Sequence, residues 1–126
     1  MIFVDTNVLM YAVGAEHPHR PEARAFFHRS IRDDLPLATS AEVLQELLHA
    51  YLPVDRTETL DAALELASGR IATVWSVEEE DVLLARSLAD EHPALGARDL
   101  LHLAACRRRE VDDVKTFDRG LAAAFA

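Results

Sequence analysis

The sequence predicts an α/β fold, a single three-layer α/β/α domain over residues 1–126 with a central parallel sheet, and three observations carry that expectation. Short apolar runs alternate with longer stretches of helical periodicity, so each strand is followed by a connection long enough to hold a helix. Strands separated by helices rather than hairpins imply parallel pairing. Carboxylates recur where the chain leaves a strand or enters a helix, the edge at which open α/β sheets bind ligands.

The elements follow in order. Met1 to Val4 reads as a buried strand that stops on Asp5, and Val8 to Val13 as helical. His17-Pro18-His19-Arg20-Pro21 breaks the chain, after which Glu22 to Arg32 resumes a helix with Ala23, Phe26, Phe27 and Ile31 on one face. Leu35 to Thr39 is a short strand, Ser40 a plausible N-cap, and Glu42 to Tyr51 a helix whose apolar stripe is Val43, Leu44, Leu47, Leu48 and Tyr51. Pro53 closes it. Thr57 caps a helix to Ser68, with Leu60, Ala63, Leu64 and Ala67 inward and Gly69 as its stop. Ile71 to Val77 holds a strand with Trp75 in the core, and Ser76 with Glu79 forms a capping box for a helix reaching His92. Pro93 to Gly96 turns the chain into a helix from Asp99 to Arg109, with Leu100, Leu103 and Ala104 inward. Val111 to Phe117 is the last strand and Leu121 to Phe125 a final helical turn.

Composition narrows the function classes. Half of the residues are hydrophobic, enough for one core that buries about two-thirds of the surface of the unfolded chain. The single cysteine, Cys106, excludes an internal disulfide, and no apolar stretch approaches the roughly 20 residues of a membrane span. Asp5 interrupts the N-terminal apolar run, which argues against a signal peptide and for a cytoplasmic setting. The formal net charge of −9 argues against broad adhesion to nucleic acid, but not against an enzyme that meets phosphates through bound cations.

Four acids carry the chemistry. In a doubly wound fold the C-terminal tips of the strands and the starts of the following helices share one edge, so Asp5, Glu46, Asp99 and Asp118 can converge although they span the chain. Glu42 lies one helical turn from Glu46 on the same face. Clustered carboxylates repel unless protonated or neutralised by a cation. With oxygen donors and no His or Cys in register, Mg2+ or Mn2+ fits better than zinc.

These residues also carry a family resemblance. Ile2-Phe3-Val4-Asp5-Thr6-Asn7-Val8-Leu9 resembles the opening strand of PIN-domain proteins, Ser40 to Leu48 their second acidic motif, Arg98-Asp99-Leu100-Leu101-His102-Leu103-Ala104 the third, and Thr116-Phe117-Asp118-Arg119 the fourth. The chain is most similar to VapC toxins of bacterial toxin–antitoxin pairs. The resemblance implies a metal-dependent endoribonuclease with Asp5 and Asp99 as direct ligands, Glu46 and Asp118 binding directly or through water, and Asn7 and Thr116 orienting the carboxylates. It aligns Glu46 rather than Glu42 with the family's acid, and it implies an RNA substrate, a cognate antitoxin and a homodimer. Arg98, next to Asp99, is the candidate substrate contact. Short exposed helices with apolar flanks, around Leu60 to Ala67 and Leu83 to Leu88, are together with the resemblance the expected surfaces for association.

Other features read as structural. His17, His19 and His28 lack the spacing of a metal site and fit a surface loop; His102 and Cys106 fit a packed helix face; Arg107-Arg108-Arg109 fits favourable charge at a helix C-terminus, with RNA contact as the alternative. A phosphoacceptor receiver domain would need an Asp ending the middle strand, which Ala72 to Ser76 does not offer. A haloacid-dehalogenase-type phosphatase would need an Asp at Asn7. A non-catalytic RNA- or protein-binding scaffold is the alternative from another class, and metal-dependent RNA cleavage separates it from the enzyme.

Overall fold

Four short strands, β1 (Ile2–Val4), β2 (Leu37–Ser40), β3 (Thr73–Trp75) and β4 (Asp113–Lys115), form one sheet in the computed structural model, which describes residues 1–126. Their order is β3-β2-β1-β4 and every pairing is parallel. Each crossover holds a pair of helices: α1 (Thr6–Val13) and α2 (Arg20–Arg32), then α3 (Ala41–Tyr51) and α4 (Thr57–Arg70), then α5 (Glu79–Glu91) and α6 (Ala97–Arg108). Helix α7 (Arg119–Ala124) follows β4. The architecture is the predicted three-layer α/β/α arrangement.

The winding locates the site. From β1 the chain moves outward through β2 to β3, then returns to pair β4 with the other side of β1. The strand order therefore reverses between β1 and β4, and such a switch point opens a crevice at the C-terminal ends of the strands. Asp5 follows β1 there, and Thr116 to Asp118 follow β4.

Packing explains why the central strands are apolar. Phe3, Val4, Leu37 and Ala38 are buried because helices cover both faces of the sheet. The main core adds Val8 and Leu9 of α1, Phe26 and Phe27 of α2, Val43 and Leu47 of α3, and Leu60, Ala63 and Ala67 of α4. A second cluster joins Ala85 and Leu88 of α5 to Leu100, Leu103 and Ala104 of α6. Each fully buried Leu or Phe contributes about 1.5–3 kcal/mol.

An ionic cluster also ties α5 to α6. The Asp81 carboxylate is 1% exposed and accepts from Arg108 Nη1 at 2.6 Å and Arg109 Nη1 at 2.9 Å. The Arg109 guanidinium lies 4.9 Å from the centre of the Trp75 ring.

Several sequence expectations need correction. The capping box is made by Glu78 and Asp81 rather than Ser76 and Glu79, because the buried Asp81 can accept from the Glu78 amide while the arginines hold it. Thr57 is the first residue of α4, not its cap, and Gly69 lies within that helix. Strands β3 and β4 are shorter than Ile71 to Val77 and Val111 to Phe117, since Ile71 and Val111 fill the core outside the ladder. Ile31 is exposed rather than inward. Leu60, Ala63 and Ala67 are buried, as α4 packs against α1 and α3; of the two predicted apolar flanks only α5 leaves large side chains open, at Val82 and Leu83. Arg108 and Arg109 are engaged with Asp81 rather than free for RNA.

Candidate metal centre at the switch point

Local geometry delivers each acid to one cleft. Asp5 ends β1 and caps α1, its Oδ1 accepting from the Thr6 amide at 2.8 Å. Glu46 projects from the middle of α3, Asp99 stands in the first turn of α6, and Asp118 is the N-cap of α7, accepting from the Leu121 amide at 2.9 Å. Asp5, Glu46, Asp99 and Asp118 line a single open cleft of about 240 Å3, together with Asn7, His49 and Arg98. Glu42 does not line it, so of the two α3 acids the fold brings Glu46 to Asp5.

A hydrogen-bond network fixes the carboxylates. The Thr116 hydroxyl donates to Asp5 Oδ2 at 2.6 Å and itself accepts from the Asp118 amide at 3.0 Å. Asn7 Nδ2 lies 3.3 Å from both Asp5 Oδ2 and Thr116 Oγ1, while Asn7 Oδ1 accepts from the Phe117 amide at 3.2 Å. Asn7 thereby bolts α1 to the end of β4. The Thr6 hydroxyl donates to Glu46 Oε2 at 2.6 Å.

His102 is the residue the sequence reading missed. Its ring is 1% exposed, with Nε2 2.7 Å from Glu46 Oε1 and 3.8 Å from Asp5 Oδ1, and Asp5, Glu46 and His102 offer ligand atoms that all lie within 4.8 Å of one another. Contrary to expectation a His does stand in register, but its Nε2 is taken up by Glu46, so the donors that face the cleft remain carboxylate oxygens. An imidazole sharing a helix with apolar neighbours reads as packing, yet its i, i+3 relation to Asp99 puts it on the same face as an acid and was the available signal. The companion reading holds for Cys106, which is buried, its thiol pushed up to about 12 by burial.

The electrostatics are those of an anionic cluster short of cations. Burial raises the Asp5 carboxyl above its ordinary value, and the Thr116 bond, the His102 charge and the Thr6 amide offset this only in part. Asp99 is also raised, first by burial and then by the charges of Asp5 and Asp118. Burial pushes Glu46 up as well, but the bond and charge of His102 outweigh it and hold Glu46 below its ordinary value. His102 is raised, since its bond to Glu46 and the surrounding acids overcome its desolvation.

The donor set fits a divalent cation. Each oxygen of Asp5 and Glu46 accepts at least one hydrogen bond from Thr6, Asn7, Thr116 or His102, which orients the carboxylates and leaves lone pairs toward the cleft. None of these bonds reaches Asp99, whose charge is answered by no arginine or lysine of comparable proximity.

His17 and His19 lie at the surface between α1 and α2, as expected, whereas His28 stands within α2. His17 stacks on Tyr11 and His19 on Phe117, the residue between Thr116 and Asp118.

Comparison with known proteins accords with this geometry. A family model described as the PIN domain matches residues 2–125. Ribonuclease VapC23 of Mycobacterium tuberculosis is 58% identical over 125 residues, which cover 99% of this chain and 98% of that protein. Among solved structures, M. tuberculosis VapC20, described as a sarcin-ricin loop cleaving toxin, superposes with a TM-score of 0.74 at 22% identity over 98% of this chain and 95% of its own. FitAcB from Neisseria gonorrhoeae gives 0.69 at 25% identity over 99% and 93%. With the family model spanning the chain and more than half of all positions shared with VapC23, the protein belongs to the PIN-domain family and, within it, to the VapC group.

Proposed function

We propose that this protein is a Mg2+- or Mn2+-dependent endoribonuclease, acting in the cytoplasm as the toxin of a VapBC-type pair. The observation that carries the reading is the convergence of Asp5, Glu46, Asp99 and Asp118 from both ends and the middle of the chain into one cleft at the switch point. The whole-length identity to a named ribonuclease supports the reaction class.

Asp5 and Asp99 would hold the cation, with Glu46 and Asp118 binding it directly or through water. When bound, a divalent cation supplies the charge that activates water for in-line attack on a phosphodiester and offsets the charge developing at phosphorus. The chain's own residues do the positioning. Thr116 and Asn7 fix the rotamer of Asp5, Thr6 and His102 fix Glu46, and Arg98 at the cleft rim is free to meet a phosphate oxygen. No protein nucleophile is needed.

Incubation of labelled RNA with purified protein tests the reading. Cleavage is expected with Mg2+ or Mn2+ and is expected to stop in chelator and in Asp5→Asn. Chelator-resistant cleavage would overturn the mechanism. A homodimer and an antitoxin that lays an apolar segment on the protein belong to the same proposal, supported by the 51% and 61% exposure of Val82 and Leu83 on α5. A monomeric mass at micromolar concentration would count against the dimer.

A further inference from the structure

The rings beside the acids form a surface that holding a cation does not require. His17 and Tyr11 stack with centroids 4.3 Å apart and planes at 24°, and His19 and Phe117 at 4.5 Å and 21°. Tyr11 meets Phe117 edge-on at 5.3 Å, so the two stacks stand side by side. Both are rooted in the catalytic network. Tyr11 lies one helical turn beyond Asn7 on α1, and the Phe117 amide donates to Asn7 Oδ1 at 3.2 Å. Of the outer rings His17 is exposed, while His19 is half-buried among Phe117, Tyr11 and His17.

Cations gather at the same margin of a chain whose net charge is −9. A cleft of about 600 Å3 opens next to His17 and is walled by Arg20 and Arg24, with Glu16 as its acid. Arg24 Nε donates to the Ala12 carbonyl at 2.9 Å, whereas Arg20 Nε is buried with no acceptor. Lys115 lies 5.1 Å from the Phe117 ring centre and pairs with Glu22 at 3.1 Å. Arg20 lines this cleft without an acid paired to it, so its guanidinium charge is available to an anion, and a ring stack ending on the exposed His17 is a slot for a flat base.

We propose that the His17–Tyr11 and His19–Phe117 stacks are a base-stacking platform for the unpaired nucleotide flanking the scissile phosphodiester, with Arg20 taking a neighbouring phosphate. The assignment rests on the RNA reading above, but not on the metal. It makes the enzyme selective for single-stranded segments, because a base held in a duplex cannot present its face to His17.

The test is binding of a short fluorescein-labelled single-stranded RNA in chelator, followed by anisotropy, for wild type, His17→Ala and His17→Phe. His17→Ala is expected to weaken binding by at least about fivefold, the lower bound for one base–aromatic stack. His17→Phe restores the ring and is expected to recover the affinity. With an RNA of the same length whose bases are removed, wild type binds as weakly as His17→Ala binds the intact RNA, and His17→Ala weakens it no further. Arg20→Gln is expected to flatten the salt dependence of the dissociation constant. His17→Gln, which has no ring, replaces His17→Ala if the latter does not fold. No binding by wild type, no effect of His17→Ala, no recovery in His17→Phe, or an equal loss on intact and abasic RNA would each overturn the platform. The two readings fail separately: binding on the rings without metal-dependent cleavage removes the nuclease and keeps the platform, and cleavage with unchanged His17→Ala binding does the reverse.

Discussion

Asp5 and Asp81 are both buried carboxylates, and the fold answers their charges in opposite ways. Burial pushes the Asp81 carboxyl up, but the bonds from Arg109, the Glu78 amide and Arg108 outweigh it and bring it down to about 2. Asp5, 5% exposed, meets hydroxyls, amides, one imidazole and other acids, and burial leaves it above its ordinary value. Burial alone therefore does not distinguish a structural acid from a functional one; the partner does. A carboxylate clasped by two guanidinium groups is neutralised within the fold, whereas the charge of one packed against further carboxylates is not.

The sharpest way to break the comparison is to neutralise each acid. Asp5→Asn removes one ligand charge and keeps the shape, so RNA cleavage is expected to fall by more than about 100-fold, beyond the usual cost of losing only a residue that supports a ligand. Its metal-free stability is expected to hold or rise, as read by thermal unfolding in chelator. A drop in stability would put Asp5 in the structural class.

Asp81→Asn is expected to do the reverse. It strands Arg108 and Arg109, and because their side chains keep 28% and 18% exposure the loss is set below the roughly 3–5 kcal/mol of a fully buried pair, at about 2–3 kcal/mol in urea unfolding. Cleavage per folded molecule should not change. A cost within about 0.5 kcal/mol would mean that the cluster contributes no more than an ordinary surface site.

Asp99 and Glu42 sharpen the contrast within the acidic helices. Millimolar Mn2+ is expected to raise the melting temperature by linkage, by an amount equivalent to about 2.7 kcal/mol at 100 times the dissociation constant. Asp99→Asn should raise the melting point in chelator and shrink the Mn2+ increment, while Glu42→Gln should leave the increment almost intact. If the two variants exchange behaviour, the site has to be rebuilt around Glu42.

Acidity gives the smallest and most diagnostic effect. Asp81, lowered in the fold, contributes stability above the ordinary carboxylate range that is lost as pH falls from about 4 toward about 2. Asp5, Asp99 and His102 are raised in the fold, so their contribution is present at low pH and is lost as pH rises through their folded values. Metal-free protein should therefore gain stability as acidification passes through the folded values of Asp5, Asp99 and His102, and lose it from about 4 toward about 2 as Asp81 is protonated. Urea midpoints across that range check the sign, and a monotonic decline from neutral pH would remove the anionic cluster as a source of strain.

What could be read beforehand follows the physics of each signal. An apolar run that stops on Asp5 marks the tip of a buried strand, and helices between all strands leave parallel pairing, so the sheet and one acid were legible. Glu46 was separable from Glu42 only through the family motif, since both share a helix face. His102 was not recovered, because periodicity reports that a position faces inward but not which partner, 56 residues away, waits there. The α5 cap was misplaced for a related reason: Glu78, Glu79, Glu80 and Asp81 are chemically alike, and only the arginines of α6 single out Asp81. Strand ends were overdrawn where Ile71 and Val111 serve the core without joining the ladder.

The bond from Thr116 to Asp5 spans 111 residues of chain. Until β4 is made and docks beside β1, Asp5 lacks the hydroxyl that fixes it, and Asp118 has not yet been added. Under the proposed activity, a growing polypeptide is thus without a working centre until β4 and the residues just after it have been made. A product released before β4 would carry Asp5, Glu46 and Asp99 but lack both Thr116 and Asp118, so the order of these residues along the chain ties assembly of the proposed centre to the making of β4.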